Sequence, residues 1–300
     1  MGHRPEVIEA RLTAFERDPD LYAEGNFPAR AVALDVIQQV YQLLSLHRHD
    51  ASWGRYRRAL TQQARTLEKR LREADADFFE ALRRYISRGN YAPNTLRHFF
   101  DRYTRYRPGR LGQMHRGYDA LDALVQGLIS TEAAPAVIPP RHTDMIAYEP
   151  TPARVVLDLV DQIQLTADDR FYDLGAGLGH VAILVHLLTG ARVTGVEVEA
   201  VYCLHAQRCA AALGLSDVHF LNLDARDATY EDGTVFFMFT PFTGKLLEAV
   251  LVALAREASR RPLLLCTYGA CTFEVTGQPW LRLRASEAKQ LYTLAVFESV

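Results

Sequence analysis

The chain has 300 residues, 49% of them apolar, with 34 basic against 36 acidic side chains and a formal net charge of −2. That length suits two domains and that apolar share suits a real core, which excludes a disordered or fibrous chain. No apolar run approaches the roughly 18 residues of a membrane-spanning helix, so no membrane span is predicted.

The start, Met-Gly-His-Arg-Pro-Glu, offers no apolar leader core, and Glu6 stands where an acylation motif needs Ser or Thr. Cys203, Cys209, Cys266 and Cys271 form no C-x-x-C pair and no His/Cys ligand set. Reduced thiols in a cytoplasmic protein without a metal site are therefore expected. Lysine occurs only at positions 69, 245 and 289, leaving 31 of the 34 basic residues as arginine. Such a bias points to a GC-rich coding genome and a bacterial source.

Residues 1–140 read as an all-helical domain, with Pro28 at a first helical position. Breaks are expected near Gly89-Asn90, Pro93, Pro108-Gly109 and Gly112. Residues 1–145 hold 22 basic and 18 acidic side chains, net +4; residues 146–300 hold 12 and 18, net −6, which together give the −2 of the whole chain. Five arginines between Arg102 and Arg116, interleaved with Tyr103 and Tyr106, form the one basic cluster. At only +4 over the domain, this reads as a solvated face, and no nucleic-acid partner is expected. Residues 133–140, with three prolines and no periodicity, read as the linker to a second domain over 141–300.

Thr151 is a natural helix N-cap, with Pro152 at the first helical position of a helix running to Gln164. Next comes Phe171-Tyr-Asp-Leu-Gly-Ala-Gly-Leu-Gly-His180: a strand over 170–174, a turn with glycine at 175, 177 and 179, and a helix over 181–188. Glycines there admit positive φ and let a ligand approach the main chain. A second strand, 192–196, ends on Glu197, whose carboxylate can accept both hydroxyls of a ribose. This βαβ unit is built to hold a nucleoside. The glycine spacing is one residue shorter than the dinucleotide fingerprint, and Asp173 would repel a pyrophosphate but pair with an ammonium. No G-x-x-x-x-G-K-[ST] occurs, which excludes a P-loop.

Downstream, a helix over 200–213 ends at Gly214, and a strand over 218–221 leads to Asp224, whose carboxylate suits the exocyclic amine of an adenine. Strands follow at 234–239 and 263–268, separated by a helix from Gly244 to about 258 that Thr243 caps. Two further segments, 280–283 and 291–297, read as a terminal antiparallel pair joined by 284–290.

Asp-x-Gly-x-Gly-x-Gly, with an acid closing the next strand, resembles the first motifs of class I S-adenosylmethionine-dependent methyltransferases. The resemblance implies an α/β fold with a seven-stranded Rossmann-like methyltransferase sheet, preceded here by the helical domain. It implies S-adenosylmethionine as cofactor, with Asp173 near its amino end and Glu197 on its ribose. Gly175, Ala176, Gly177, Val198, Asp224 and Ala225 complete the expected cofactor site.

From Tyr148 through Gly179 the chain is similar, without a gap, to the catalytic core of the histone lysine methyltransferases that lack a SET domain. Tyr148, Thr151, Asp161, Ile163, Thr166, Asp168, Asp169, Phe171, Asp173 and the three glycines fit that pattern. In those enzymes the Tyr-x-Glu-Thr loop folds over the cofactor, which implies that role for Tyr148 and Thr151. Three positions depart from the pattern: Pro150 replaces the loop glutamate, with Glu149 one place early; His180 replaces glutamine; and Thr240-Pro241-Phe242 replaces Asn-Asn-Phe.

Methyl transfer from a sulfonium needs positioning more than acid–base machinery. The expected acceptor-side groups are Tyr148, His180, Thr240, Phe242 and Tyr268. Thr240 could accept from a substrate amine through its hydroxyl, Phe242 could shield the acceptor, and His180 could act as a base. The expected acceptor is a small molecule, or alternatively a protein lysine. A catalytically silent cofactor-binding scaffold is the reading from another class, and the intact acidic and glycine positions argue against it. An RNA methyltransferase would need a clearer basic surface and an Asn/Asp-Pro-Pro-Tyr-type tip, which this chain lacks.

Overall fold

The computed structural model describes residues 4–23, 25–89, 91–104, 119–130, 132–285 and 292–300. Residues 105–116 of the arginine-rich stretch lie outside the described residues. The chain divides into two compact units, residues 1–82 with 102–105 and residues 83–101 with 106–300.

In the first unit the helical period expected from sequence holds. Helices α1 (Pro5–Arg17), α2 (Phe27–Leu46) and α3 (Ala51–Ser87, to residue 82) bury Leu12, Ile37, Leu60, Leu67 and Leu71 at helical spacing. Arg30 is fully buried among them, its Nε 2.5 Å from Asp75 Oδ1 and its Nη1 donating to the carbonyls of Leu21 (3.3 Å) and Ala23 (2.6 Å).

The second unit carries α4 (Pro93–Thr104, to residue 101), α5 (Ala120–Ile129), α6 (Ala153–Ile163) and the sheet. Strands β1 (Arg170–Leu174), β2 (Arg192–Val196), β3 (Val218–Leu221), β4 (Val235–Phe239) and β5 (Leu264–Tyr268) run parallel. With β6 (Leu281–Ala285) and antiparallel β7 (Ala295–Ser299) they form one seven-stranded sheet in the order β3-β2-β1-β4-β5-β7-β6. Helices α7 (His180–Thr189), α8 (Ala200–Ala212) and α9 (Gly244–Ala258) make the crossovers that parallel pairing demands. Central strand β4 reads Val-Phe-Phe-Met-Phe and is buried on both faces, as a parallel strand between helices must be. Strand order reverses between β2-β1 and β4-β5, so the carboxyl ends of β1 and β4 border a crevice.

Several local expectations change. The unit that holds the sheet also takes in residues 83–101, and α5 packs on α6 and α7. Helix α6 starts at Ala153, so Thr151 is not its cap; Asp122 of α5 accepts the Ala153 N–H at 2.7 Å instead. Thr243 precedes α9 but makes no side-chain cap bond. A short helix, α10 (Cys271–Thr276), follows β5 where none was expected.

Candidate active site

The glycine turn does what its sequence requires. Gly175 and Gly177 sit at φ +80° and +53°. A Cβ on Gly175 would stand 2.2 Å from Pro241 Cβ, and one on Gly177 would stand 2.3 Å from the Tyr148 ring. The turn is thus clasped from two sides, by the tip after β4 and by Tyr148.

Glu197, at the end of β2, is 6% exposed, and its carboxylate accepts from Gly177 N–H and Glu199 N–H, both at 2.7 Å. Burial raises its pKa, and the two amides partly offset that. Asp173 lies beneath, 3% exposed, with Oδ2 lacking any partner among the described residues. Burial and the nearby Glu197 push its pKa up to about 7. Two buried acids side by side, with no cation beside them among the described residues, form a site that favours an ammonium. After β3, Asp224 is held by Arg226 through Nε (3.0 Å) and Nη2 (2.8 Å), which lowers its pKa.

A cavity of about 250 Å³ joins these groups to the β4 tip. Of the expected site residues, Tyr148, Gly175, Glu197, Val198, Asp224, Ala225, Thr240 and Phe242 line it. Thr151, Asp173, Ala176, Gly177, His180 and Tyr268 do not. Gly177 backs the wall through its bond to Glu197, and His180 and Tyr268 stand outside the lining. His180 opens α7 with both ring nitrogens buried and unpartnered among the described residues; burial drives it down to about 4, so it is neutral, and it is not among the residues that line the cavity. Tyr268 packs behind Phe239 (5.0 Å between centroids) and Tyr292 (5.8 Å), and burial pushes its phenol up to about 12.

Thr240 lines the cavity, but its hydroxyl is already engaged. It donates to the Tyr268 carbonyl at 3.3 Å and accepts from Cys271 N–H at 3.2 Å, at a backbone φ of +34°. The side chain therefore pins the β4 tip to the start of α10, and the expected hydroxyl contact with a substrate amine competes with that bond.

The largest omission of the sequence reading is the segment taken as a linker. Ile138, Pro139 and Pro140 line the cavity, as do Met145 to Glu149. Ile138 N–H donates to Tyr202 Oη at 2.8 Å, and Arg141 Nη2 lies 2.5 Å from Glu199 Oε2. Farther on, Ile146 N–H reaches the Pro241 carbonyl at 3.0 Å, and Thr243 N–H reaches that of Asp144 at 2.8 Å. Residues 138–149 are thus a strap tied to α8 at one end and to the β4 tip at the other. Its two consecutive prolines were the signal: they stiffen an extended segment as readily as they mark a linker. Phe239, Arg226 and Tyr292 were also missed.

Residues 143–230 match the family model described as "Histone methylation protein DOT1". No curated protein matches the chain. Among solved structures it is similar to an RNA methyltransferase from Salinibacter ruber in complex with S-adenosyl-L-homocysteine (22% identity, 50% of this chain, 92% of that one, TM-score 0.39). It is also similar to a putative methyltransferase from Escherichia coli (18%, 49%, 86%, 0.41) and to geranyl diphosphate C-methyltransferase from Streptomyces coelicolor (21%, 43%, 48%, 0.34). The glycine turn, the acid after β2 and the family match over 143–230 make this part of the chain a class I S-adenosylmethionine-dependent methyltransferase core.

Proposed function

We propose that this enzyme transfers the methyl group of S-adenosylmethionine in line to a small-molecule acceptor. The observation that carries the reading is the continuity of the cavity from Glu197 and Asp224, past Gly175, to Thr240 and Phe242. S-adenosylmethionine supplies a methyl already activated on a sulfonium. Glu197 would hold the ribose hydroxyls with the oxygen lone pairs that the Gly177 and Glu199 amides leave open. Asp224, Ala225 and Val198 would flank the adenine; Asp173, whose Oδ2 has no partner among the described residues, would favour the ammonium end from behind the cavity wall. Tyr148 and the strap would exclude water, and Phe242 would shield the acceptor.

A small acceptor is favoured because the strap pairs with the β4 tip through Met145 and Phe242, and both line the cavity together with Phe239. Pro150 and Thr240-Pro241 also replace the loop glutamate and paired asparagines of the histone-modifying pattern. Protein lysine methylation is the second reading, favoured by the family match.

Calorimetry and a tritiated methyl donor test both. S-adenosylhomocysteine should bind more tightly than NAD. Glu197→Gln, which keeps an acceptor but removes the charge, should weaken it by about 1.5–3 kcal/mol, roughly ten- to a hundredfold. Label should pass to a low-molecular-weight metabolite fraction and not to histones or nucleosomes. Tighter NAD binding would overturn the cofactor reading; comparable labelling of histones would overturn the small acceptor.

A further inference from the structure

Four carboxylates line the cavity, and three are answered within the chain. Asp224 has Arg226, Glu199 has Arg141, and Glu197 has the amides of Gly177 and Glu199. The fourth, Glu149, is exposed to the cavity mouth and has no ion pair or hydrogen bond among the described residues. It lies on the strap three residues beyond Ile146, whose N–H is bound to the Pro241 carbonyl at the β4 tip, so it stands at the acceptor end. Three rings, Phe239, Phe242 and Tyr292, line the same cavity as this carboxylate. Apolar walls reject a hydrated anion, while aromatic rings and one unanswered carboxylate attract a cation.

We infer that the acceptor is a small amine on an apolar body, held as its ammonium by Glu149 and by the rings of Phe239, Phe242 and Tyr292. The inference rests on the methyltransferase reading above. Before attack the ammonium gives up one proton to the solvent at the cavity mouth. The freed nitrogen lone pair forms the new N–C bond as the C–S bond breaks, and that bond's electron pair stays on sulfur, which becomes a neutral thioether. The nitrogen now carries the positive charge, so Glu149 and the rings that bound the substrate also face the methylated product. Of the other acceptor-side groups expected from sequence, the Thr240 hydroxyl is already engaged and His180 does not line the cavity.

The experiment uses the full chain, tritiated S-adenosylmethionine and a shape-matched panel: phenethylamine, N-methylphenethylamine, 2-phenylethanol, 2-phenylethanethiol and 3-phenylpropanoate. Only the amines should take label. Glu149→Gln should raise their KM at least tenfold while S-adenosylhomocysteine affinity stays within twofold, and Glu149→Asp should recover part of the loss. If S-adenosylhomocysteine binds but label goes to the alcohol, thiol or acid, or to no panel member, the amine is wrong and the methyltransferase reading stands. An unchanged KM in Glu149→Gln also overturns it. If the parent does not bind S-adenosylhomocysteine, the underlying reading fails first, and the calorimetry shows that separately.

Discussion

Each unit of this chain buries ionisable side chains, and the two do it in opposite ways. In the helical unit, Arg30 is wholly removed from water, yet Asp75 and two backbone carbonyls surround its guanidinium. Beside the sheet, Asp173 and Glu197 are nearly as deep, are acids of the same sign when ionised, and meet amides but no cation among the described residues. A buried ion is tolerated when its partners are built in, and a pair of like charges is tolerated only at a cost in pKa. The first arrangement is closed and does architectural work. The second is incomplete in a direction that an ammonium and two hydroxyls would complete.

The sharpest way to break this comparison is Arg30→Met. It leaves Asp75 buried without its cation, where burial already raises the carboxyl pKa more than Arg30 lowers it. Thermal or urea unfolding should show a loss of about 3–5 kcal/mol, and Arg30→Met with Asp75→Leu should recover most of it. A single variant as stable as the parent would mean that the pair is not structural.

Asp173 should give a smaller effect that depends on pH. Its carboxyl is raised from 3.8 to about 7, so the folded apo protein holds a proton there that the unfolded chain has lost. Stability contributed by that proton is therefore lost as pH rises from about 4 to 7. Asp173→Asn should melt above the parent at pH 8, with the gain shrinking as pH falls toward 4. Ligand affinity runs the other way. An ammonium needs the ionised form, so S-adenosylhomocysteine should weaken below pH 7 by up to about tenfold per unit, and the Asn variant should lose that slope. A flat affinity between pH 6 and 8 in the parent would separate Asp173 from the ligand.

How much of this was legible follows from how local each signal is. The turn at Gly175 and Gly177 and the acid at 197 are short-range patterns, since a strand end, a positive φ and the next strand's last residue lie within one βαβ unit. The sheet followed because apolar runs at 192–196 and 235–239 are bounded by glycine and turn residues. What failed was non-local. The Asp122 bond to Ala153 crosses 31 residues, and the Thr240 bond to Cys271 N–H crosses 31 as well, so neither the cap of α6 nor the engaged hydroxyl has a local signature. His180 follows Gly179 directly, yet it opens α7 without lining the cavity. The strap was hidden because proline-rich, aperiodic sequence describes a docked extended segment and a free linker equally well.

The smallest effect belongs to the tie that holds that strap, Arg141 to Glu199. Arg141 is 59% exposed at its side chain and Glu199 is 7% exposed, so solvent screens half of the pair and its worth is about 0.2–1 kcal/mol. Removing it with Arg141→Gln should leave the melting temperature almost unchanged. If the tie gates the cavity, opening becomes easier without altering the bound contacts. Association and dissociation of S-adenosylhomocysteine should then both quicken, by up to about fivefold, while Kd stays within twofold. Added salt should quicken both rates in the parent, because it screens the same pair, and should do little more in the variant. Equal rates in parent and variant at low salt would mean that the Ile138–Tyr202 bond and the pairing with the β4 tip hold the strap without Arg141.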